Sequence, residues 1–181
     1  MTEPNFNAEF GDYKGERTVG GMTFDELYAS YADSVYSFLR FKIRDVHLVE
    51  DIFQDTFLTA FKEIDRGRRP EHPKAWLLTV AHRRMVDRLR REPSVEGMDE
   101  QEEAIGTDRQ ADWTEALYVR ELLGKLEESS RTILYGLYVE GLSIQEIAVV
   151  LGIPEGTVKS RCHAAKKKLS GWMKEENRDG N

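Results

Sequence analysis

The chain has 181 residues, with 26 Lys/Arg against 33 Asp/Glu for a net charge of −7, and 40% of its residues are hydrophobic. That length suits one ordinary domain or two small ones, and no apolar run approaches the ~20 residues that span a membrane. A single cysteine, Cys162, excludes an internal disulfide and a Cys-rich zinc site.

The first 21 residues, "MTEPNFNAEFGDYKGERTVGG", are polar and Gly-rich. They have no basic segment followed by an apolar one, so they do not read as a secretory signal, and a mobile tail is expected over 1–21. The chain as a whole is expected to be cytoplasmic. From Met22 the pattern turns helical, with Phe24, Leu27, Tyr28, Tyr31, Val35, Phe38 and Leu39 at three-to-four spacing. Thr23 and Glu26 are spaced for a capping box. Val49, Ile52, Phe53, Thr56, Phe57, Ala60, Phe61 and Ile64 mark a second helix. Gly67, Pro70 and Pro73 interrupt the pattern in "DRGRRPEHP". Trp76, Leu77, Val80, Ala81, Met85, Val86 and Leu89 mark a third helix, ending near Pro93. Three amphipathic helices can share a core, so 22–92 is expected to be an all-α domain.

Residues 93–112, "PSVEGMDEQEEAIGTDRQAD", are acidic and poor in apolar residues, and read as a linker. Trp113, Leu117, Leu122, Leu123 and Leu126 restart the helical period. A helix capped by Ser129 or Ser130 follows, carries Ile133, Leu134, Leu137 and Tyr138, and ends at Gly141. No segment reads as a strand. Then comes "LSIQEIAVVLGIPEGTVKSR" (142–161). Ser143 and Glu146 are spaced for another capping box, Gly152 suits a C-terminal cap, and Pro154 suits the first turn of the next helix. In that helix Val158, Cys162, Ala165 and Leu169 form one stripe, leaving Lys159, Ser160, Arg161, His163, Lys166 and Lys167 for the other faces. A short helix, a tight turn and a cationic second helix form a helix-turn-helix, whose second helix enters the major groove.

The charge is segregated in the same way. Residues 62–91 hold 10 Lys/Arg against 4 Asp/Glu, and residues 159–174 hold 6 against none. Residues 92–128 hold 3 against 12. Exposed charges are screened beyond roughly 8–10 Å, so local charge governs contact with a polyanion. Solvated helix faces are the bland alternative for both basic islands. Cys162 reads as a small buried hydrophobe on the apolar stripe rather than as a redox thiol.

These segments resemble a known family. "EGLSIQEIAVVLGIPEGTVKSRCHAAKKKL" (140–169) is similar to region 4 of the extracytoplasmic-function (ECF) sigma factors of bacterial RNA polymerase. "TFDELYASYADSVYSFL", "LVEDIFQDTFLTAF" and "PKAWLLTVAHRRMVDRLRR" resemble region 2 of that family, in the same order. The resemblance implies an all-α protein of two small helical domains: region 2 at 22–92, an acidic linker at 93–112, region 4 at 113–173 and a tail at 174–181. It implies binding to core polymerase through Asp51, Gln54 and Asp55, which lie on a different helix face from Ile52 and Phe53 and would meet the β′ clamp helices. The β flap is a further implied contact.

It also implies promoter DNA as a partner. The −10 element would meet Arg68, Arg69, Lys74, Arg83, Arg84, Arg88 and Arg91, with the loop around 66–73 capturing a flipped base along a basic track. Trp76 either stacks on a base or packs in the core. The −35 element would meet Glu155, Thr157, Lys159, Ser160, Arg161, His163, Lys166 and Lys167. Family members are often held by an anti-sigma factor, frequently membrane-anchored, without inserting into the membrane themselves. The linker either threads basic polymerase channels or is a solvated spacer.

Two departures bear on DNA preference. The family's "ARN" reads "AHR" at 81–83, so Arg83 stands where Asn is usual, and Ala164 and Lys166 replace common arginines in "SRCHAAKKKL". A stand-alone helix-turn-helix regulator is a second reading, against which 22–91 argue by carrying their own basic helix. An enzyme is a third, with no Gly-rich phosphate loop, metal cluster or nucleophile–base pair to support it. No catalytic residue, metal or cofactor is expected.

Overall fold

The computed structural model describes residues 18–19, 22–68, 70–91 and 121–179. Of the expected tail at 1–21, residues 1–17 and 20–21 lie outside the described residues, as do the linker at 93–112, Trp113, Leu117 and Arg69. Six helices carry the fold: α1 (Phe24–Lys42), α2 (Val46–Asp65), α3 (Pro73–Arg91), α4 (Glu128–Tyr138), α5 (Ile144–Leu151) and α6 (Glu155–Asp179). Residues 121–124 are also helical.

Local chemistry explains where the helices begin and end. Thr23 starts α1 with the expected capping box. Its hydroxyl accepts from the Glu26 N–H at 3.2 Å, and the Glu26 carboxylate accepts from the Thr23 N–H at 2.8 Å. Asp45 caps α2 by accepting from the N–H groups of His47 and Leu48. Gly67 takes φ +93° in the turn after α2, a conformation that suits glycine. Pro73 opens α3, where its missing N–H would have no intrahelical partner anyway. Ser143 and Glu146 form the second capping box at α5, and Gly152 closes that helix in the left-handed region at φ 65°, ψ 33°.

Four details differ from the sequence reading. Thr18–Val19 and Met22–Thr23 pair as two-residue antiparallel strands, too short to leave an alternating pattern. Helix α4 is capped by Glu127, not by Ser129 or Ser130, and without a side-chain hydrogen bond. Ser130 is buried, so its hydroxyl is not available as an exposed cap. Helix α6 runs on to Asp179 rather than giving way to a tail at 174. In α3, Leu78 and Thr79 join Leu77, Ala81 and Met85 in the core, while Leu89 stays 37% exposed. Helix α3 is packed on two sides, which widens its buried face beyond a single stripe.

In the first unit, α1, α2 and α3 pack pairwise around Leu27, Leu39, Val49, Phe57, Ile64 and Leu77. An aromatic chain reinforces the α1–α2 contact. Phe57 meets Tyr28 edge-on at 4.7 Å and Phe53 at 5.0 Å, and Phe24 meets Phe61 at 5.2 Å. In the second unit, α4, α5 and α6 enclose Ile133, Ile147 and Val158. The stripe on α6 is as the spacing predicts: Val158, Cys162 and Ala165 are buried. The two units are not separate. Helix α3 also packs along α5, and the buried side chains of both units form one continuous apolar cluster.

Helix α5 has only 8 residues and depends on its caps. Ser143→Ala is expected to lower unfolding stability by about 1 kcal/mol, read by urea denaturation, and Ser143→Asp to keep most of it.

Candidate nucleic-acid interface

Two basic faces emerge. On α6, burial of Val158, Cys162 and Ala165 turns the polar positions outward. Lys159, Ser160, His163, Lys166 and Lys167 are exposed, while Glu155, Thr157 and Arg161 are half-buried. Glu155 and Lys159 pair one helical turn apart at 3.6 Å. The Lys159 side chain is 62% exposed and that of Glu155 44%, so a phosphate can displace the carboxylate at little cost. The Ser160 hydroxyl donates to the Thr157 carbonyl at 3.1 Å, which fixes it against the helix backbone. Lys166 sits over the exposed Tyr138 ring at 5.2 Å from its centre. A hydrogen bond with Tyr138 is the main reason its ammonium is held above the usual lysine range. The structure thus brings all eight expected residues onto one helix, but Lys166 also leans on α4.

The second face follows α3. Arg83, Arg84, Arg88 and Arg91 are all exposed. Two of them reach back to α2: Arg84 donates to the Thr59 hydroxyl at 2.8 Å, and Arg88 lies 3.8 Å from the Asp51 carboxylate. The anionic face of α2, with Asp51, Gln54 and Asp55 exposed, therefore borders the cationic face of α3. A cleft of about 280 Å³ lies between them, lined by Asp55, Thr59, Lys62, Glu63, Arg66 and Arg84 among others. Arg68 is exposed in the loop before α3. Trp76 is half-buried and packs against the core cluster, which favours its structural role.

Lys74 is placed differently from its neighbours. Its ammonium donates to the Glu140 carbonyl at 2.6 Å and pairs with the Glu140 carboxylate at 2.8 Å. The Glu140 side chain is 5% exposed, and its other oxygen accepts from the Tyr135 hydroxyl at 3.0 Å. Burial, then the nearby Glu140 charge and hydrogen bond, hold the Tyr135 phenol well above its usual range. His72 lies 3.5 Å from Glu146. At the other end of the same seam, Lys42 donates to the Glu128 carboxylate and, at 3.1 Å, to the Thr132 hydroxyl. The rings of Phe41 and Tyr135 stack at 4.2 Å.

None of these six seam residues (Lys42, His72, Glu128, Thr132, Tyr135 and Glu140) figured among the expected site residues. Each pairs across a long sequence separation, so no local spacing marks it. His82 also lies here, with Phe38 against its ring and its Nδ1 buried without a hydrogen-bond partner among the described residues. Burial and then Lys42 pull its imidazole below the usual range, with Glu128 opposing. Among the described residues, no group of His, Cys, Asp and Glu is arranged to hold a metal ion.

Comparison with known proteins places this geometry. Residues 27–94 match the family profile "Sigma-70 region 2", and residues 116–169 match "Sigma-70, region 4". The chain is 32% identical over 158 residues to the ECF RNA polymerase sigma factor SigL of Mycobacterium tuberculosis, covering 82% of this chain and 88% of that protein. It is 25% identical over 169 residues to SigW of Bacillus subtilis, covering 84% and 89% respectively. Among solved structures it is similar to CnrH in complex with the cytosolic domain of CnrY, with 29% identity, a TM-score of 0.56, and 83% and 87% of the two chains covered. It also shares the fold of the sigma factor RpoE from Bartonella quintana, solved with the anti-sigma factor NepR, at 22% identity and a TM-score of 0.64, covering 83% and 96%.

The state of His82 sets a pH dependence. Its pKa is depressed in the folded chain, so the unfolded chain binds protons more readily. Its contribution to stability is complete above about pH 6.5 and is lost as the pH falls below that value. Glu128, held low chiefly by the hydrogen bond from Lys42, loses its contribution only at still lower pH. The urea midpoint is expected to drop between about pH 7.5 and 5.5, and His82→Leu is expected to flatten that drop.

Proposed function

The chain belongs to the ECF family of RNA polymerase sigma factors, which direct the polymerase to promoters, and from that premise we propose a division of labour among its helices. The N-terminal half of α6 reads the −35 element through Lys159, Arg161, Lys166 and Lys167, with Glu155, Thr157, Ser160 and His163 at its margins. Arg and Lys donate to guanine O6 and N7 in the major groove, and the remaining cations meet phosphates. Helix α3 and the loop before it meet the −10 element through Arg68, Arg69, Lys74, Arg83, Arg84, Arg88 and Arg91. The exposed carboxylates Asp51 and Asp55, with Gln54, dock on the cationic clamp helices of core polymerase, and the second unit meets the β flap.

One observation carries this reading: α6 buries Val158, Cys162 and Ala165 and turns Lys159, Lys166 and Lys167 to solvent, with Arg161 half-buried beside them, starting just after the turn that follows α5. That is the geometry a recognition helix needs. The partition into region 2 over 22–92 and region 4 over 113–173 belongs to the same proposal. So does an anti-sigma partner, which the solved pairing of CnrH with the cytosolic domain of CnrY supports. The protein acts in the cytoplasm and has no catalytic role. Among the described residues, no helix is long and apolar enough to cross a membrane.

Transcription in vitro with reconstituted holoenzyme tests the assignment. Arg161→Ala is expected to cost about 1–3 kcal/mol of promoter affinity and to relax preference at one −35 position. Lys167→Ala is expected to weaken all promoters alike and to reduce the slope of log affinity against log salt by about 0.9. A chain that binds DNA but not core polymerase would point instead to a stand-alone regulator.

A further inference from the structure

We propose that Tyr138 is a positioning residue for the −35 interface: its ring carries the Lys166 ammonium and aims it at a phosphate of the DNA backbone. The proposal deepens the reading of α6 as the recognition helix and rests on it. Tyr138 is the last residue of α4 and is 66% exposed. Its neighbour Leu137 packs against the core cluster, so α4 is anchored without the Tyr138 ring. The Lys166 Nζ lies over that ring, 5.2 Å from its centre, within the roughly 6 Å reach of a cation–π contact. The phenol hydroxyl also hydrogen-bonds the ammonium.

Helices α4 and α6 pack on each other, so the contact joins two rigid elements. Lys159 offers a contrast on the same helix. It precedes Lys166 by seven residues, about two turns and about 10 Å, so the two lysines share a flank of α6. Lys159 pairs with Glu155 at 3.6 Å, and a phosphate must displace that carboxylate. Lys166 rests on a ring instead. An aromatic face attracts an ammonium through its quadrupole, without the full negative charge of a carboxylate. The ammonium has three N–H donors, and the bond with the Tyr138 hydroxyl leaves the others for an anion. Lys166 is therefore held in place and still open to a phosphate.

Lys166 lies about three turns from the start of α6 at Glu155. A recognition helix contacts base edges through its N-terminal residues, and positions farther along it meet the backbone. A lysine stem is flexible, and the freedom it loses on contact subtracts from affinity. Tyr138 restricts Lys166 beforehand, so less is lost when the phosphate arrives. Its effect is on affinity, through Lys166, and not on base preference.

Equilibrium binding by reconstituted holoenzyme tests this. The probe is a fluorescent duplex carrying the −35 element that the parent holoenzyme selects from a randomised pool. Tyr138→Leu is expected to weaken binding roughly two- to five-fold, and Tyr138→Phe, which keeps the ring face, to fall between Tyr138→Leu and the parent. In a Lys166→Ala background, Tyr138→Leu is expected to cost nothing further. The ring is largely exposed, so urea midpoints are expected to stay close to the parent's. In the free chain, the Lys166 ε-methylene proton resonances are expected to be shifted upfield by the ring and to return in Tyr138→Leu.

Unshifted resonances in the parent would overturn the proposal. So would parent-like affinity in Tyr138→Leu. A loss that persists in the Lys166→Ala background would show that Tyr138 touches DNA itself or shapes α4, and would overturn it too. Lys159→Ala and Arg161→Ala test the reading of α6 separately. If they weaken binding while Lys166→Ala does not, the positioning role fails and the recognition helix stands. If none of the three weakens binding, the reading of α6 fails and takes the proposal with it.

Discussion

A buried carboxylate sits where the two halves of the molecule meet. Glu140 is nearly inaccessible, and an isolated charge there would be expensive to bury. It is tolerated because Tyr135 donates to one oxygen and Lys74 pairs with the other. The arrangement works only while both units are in place, since Tyr135 and Glu140 belong to one and Lys74 to the other. Removing one partner from such a group is far more damaging than the net worth of the pair suggests. The seam is therefore specific as well as adhesive: Lys74 at the start of α3 must meet Glu140 in the turn after α4 to satisfy it.

The distribution of apolar surface makes that docking possible. Helix α3 has the widest buried face in the first unit, because it serves α1 and α2 on one side and α5 on the other. Leu78 and Thr79 fall inside a core that a single-stripe helix would have left half open. The same double duty leaves less of α3 open to solvent. Its cations are pushed toward its C-terminal half, at Arg83, Arg84, Arg88 and Arg91, where the helix dipole also favours them. Lys74, at the crowded N-terminal end, is the exception and is the one drawn into the seam.

Much of this was legible in the residues. Capping boxes at Thr23–Glu26 and Ser143–Glu146 announce themselves because cap chemistry acts over three residues. The stripe Val158–Cys162–Ala165 announces itself because burial on a helix repeats with its turn. The cationic face of α6 follows by exclusion from that stripe. Ionic and aromatic partners across the seam leave no such trace. Lys42 and Glu128 stand 86 positions apart, and Lys74 and Glu140 stand 66 apart. Nothing within a helical turn distinguishes Glu140 from the solvated carboxylates around it. The cap of α4 departs from the local pattern for a related reason: Ser130 has the right chemistry, but tertiary packing claims it for the interior.

Two ion pairs on α3 show how one helix can hold cations with different availability. Arg88 and Asp51 are 3.8 Å apart, with 44% and 66% of their side chains exposed. Such a pair is worth at most about 1 kcal/mol, is screened by salt, and yields readily to a stronger partner. Lys74 and Glu140 are closer and largely desolvated, so their attraction is less screened and their separation needs compensation on both sides. Parting Lys74 from Glu140 would leave that carboxylate to be rehydrated. Arg88 can exchange Asp51 for another exposed anion without any change in the fold. The acidic character of the chain thus acts locally: on α3, Arg88 faces an exposed carboxylate and Lys74 a buried one.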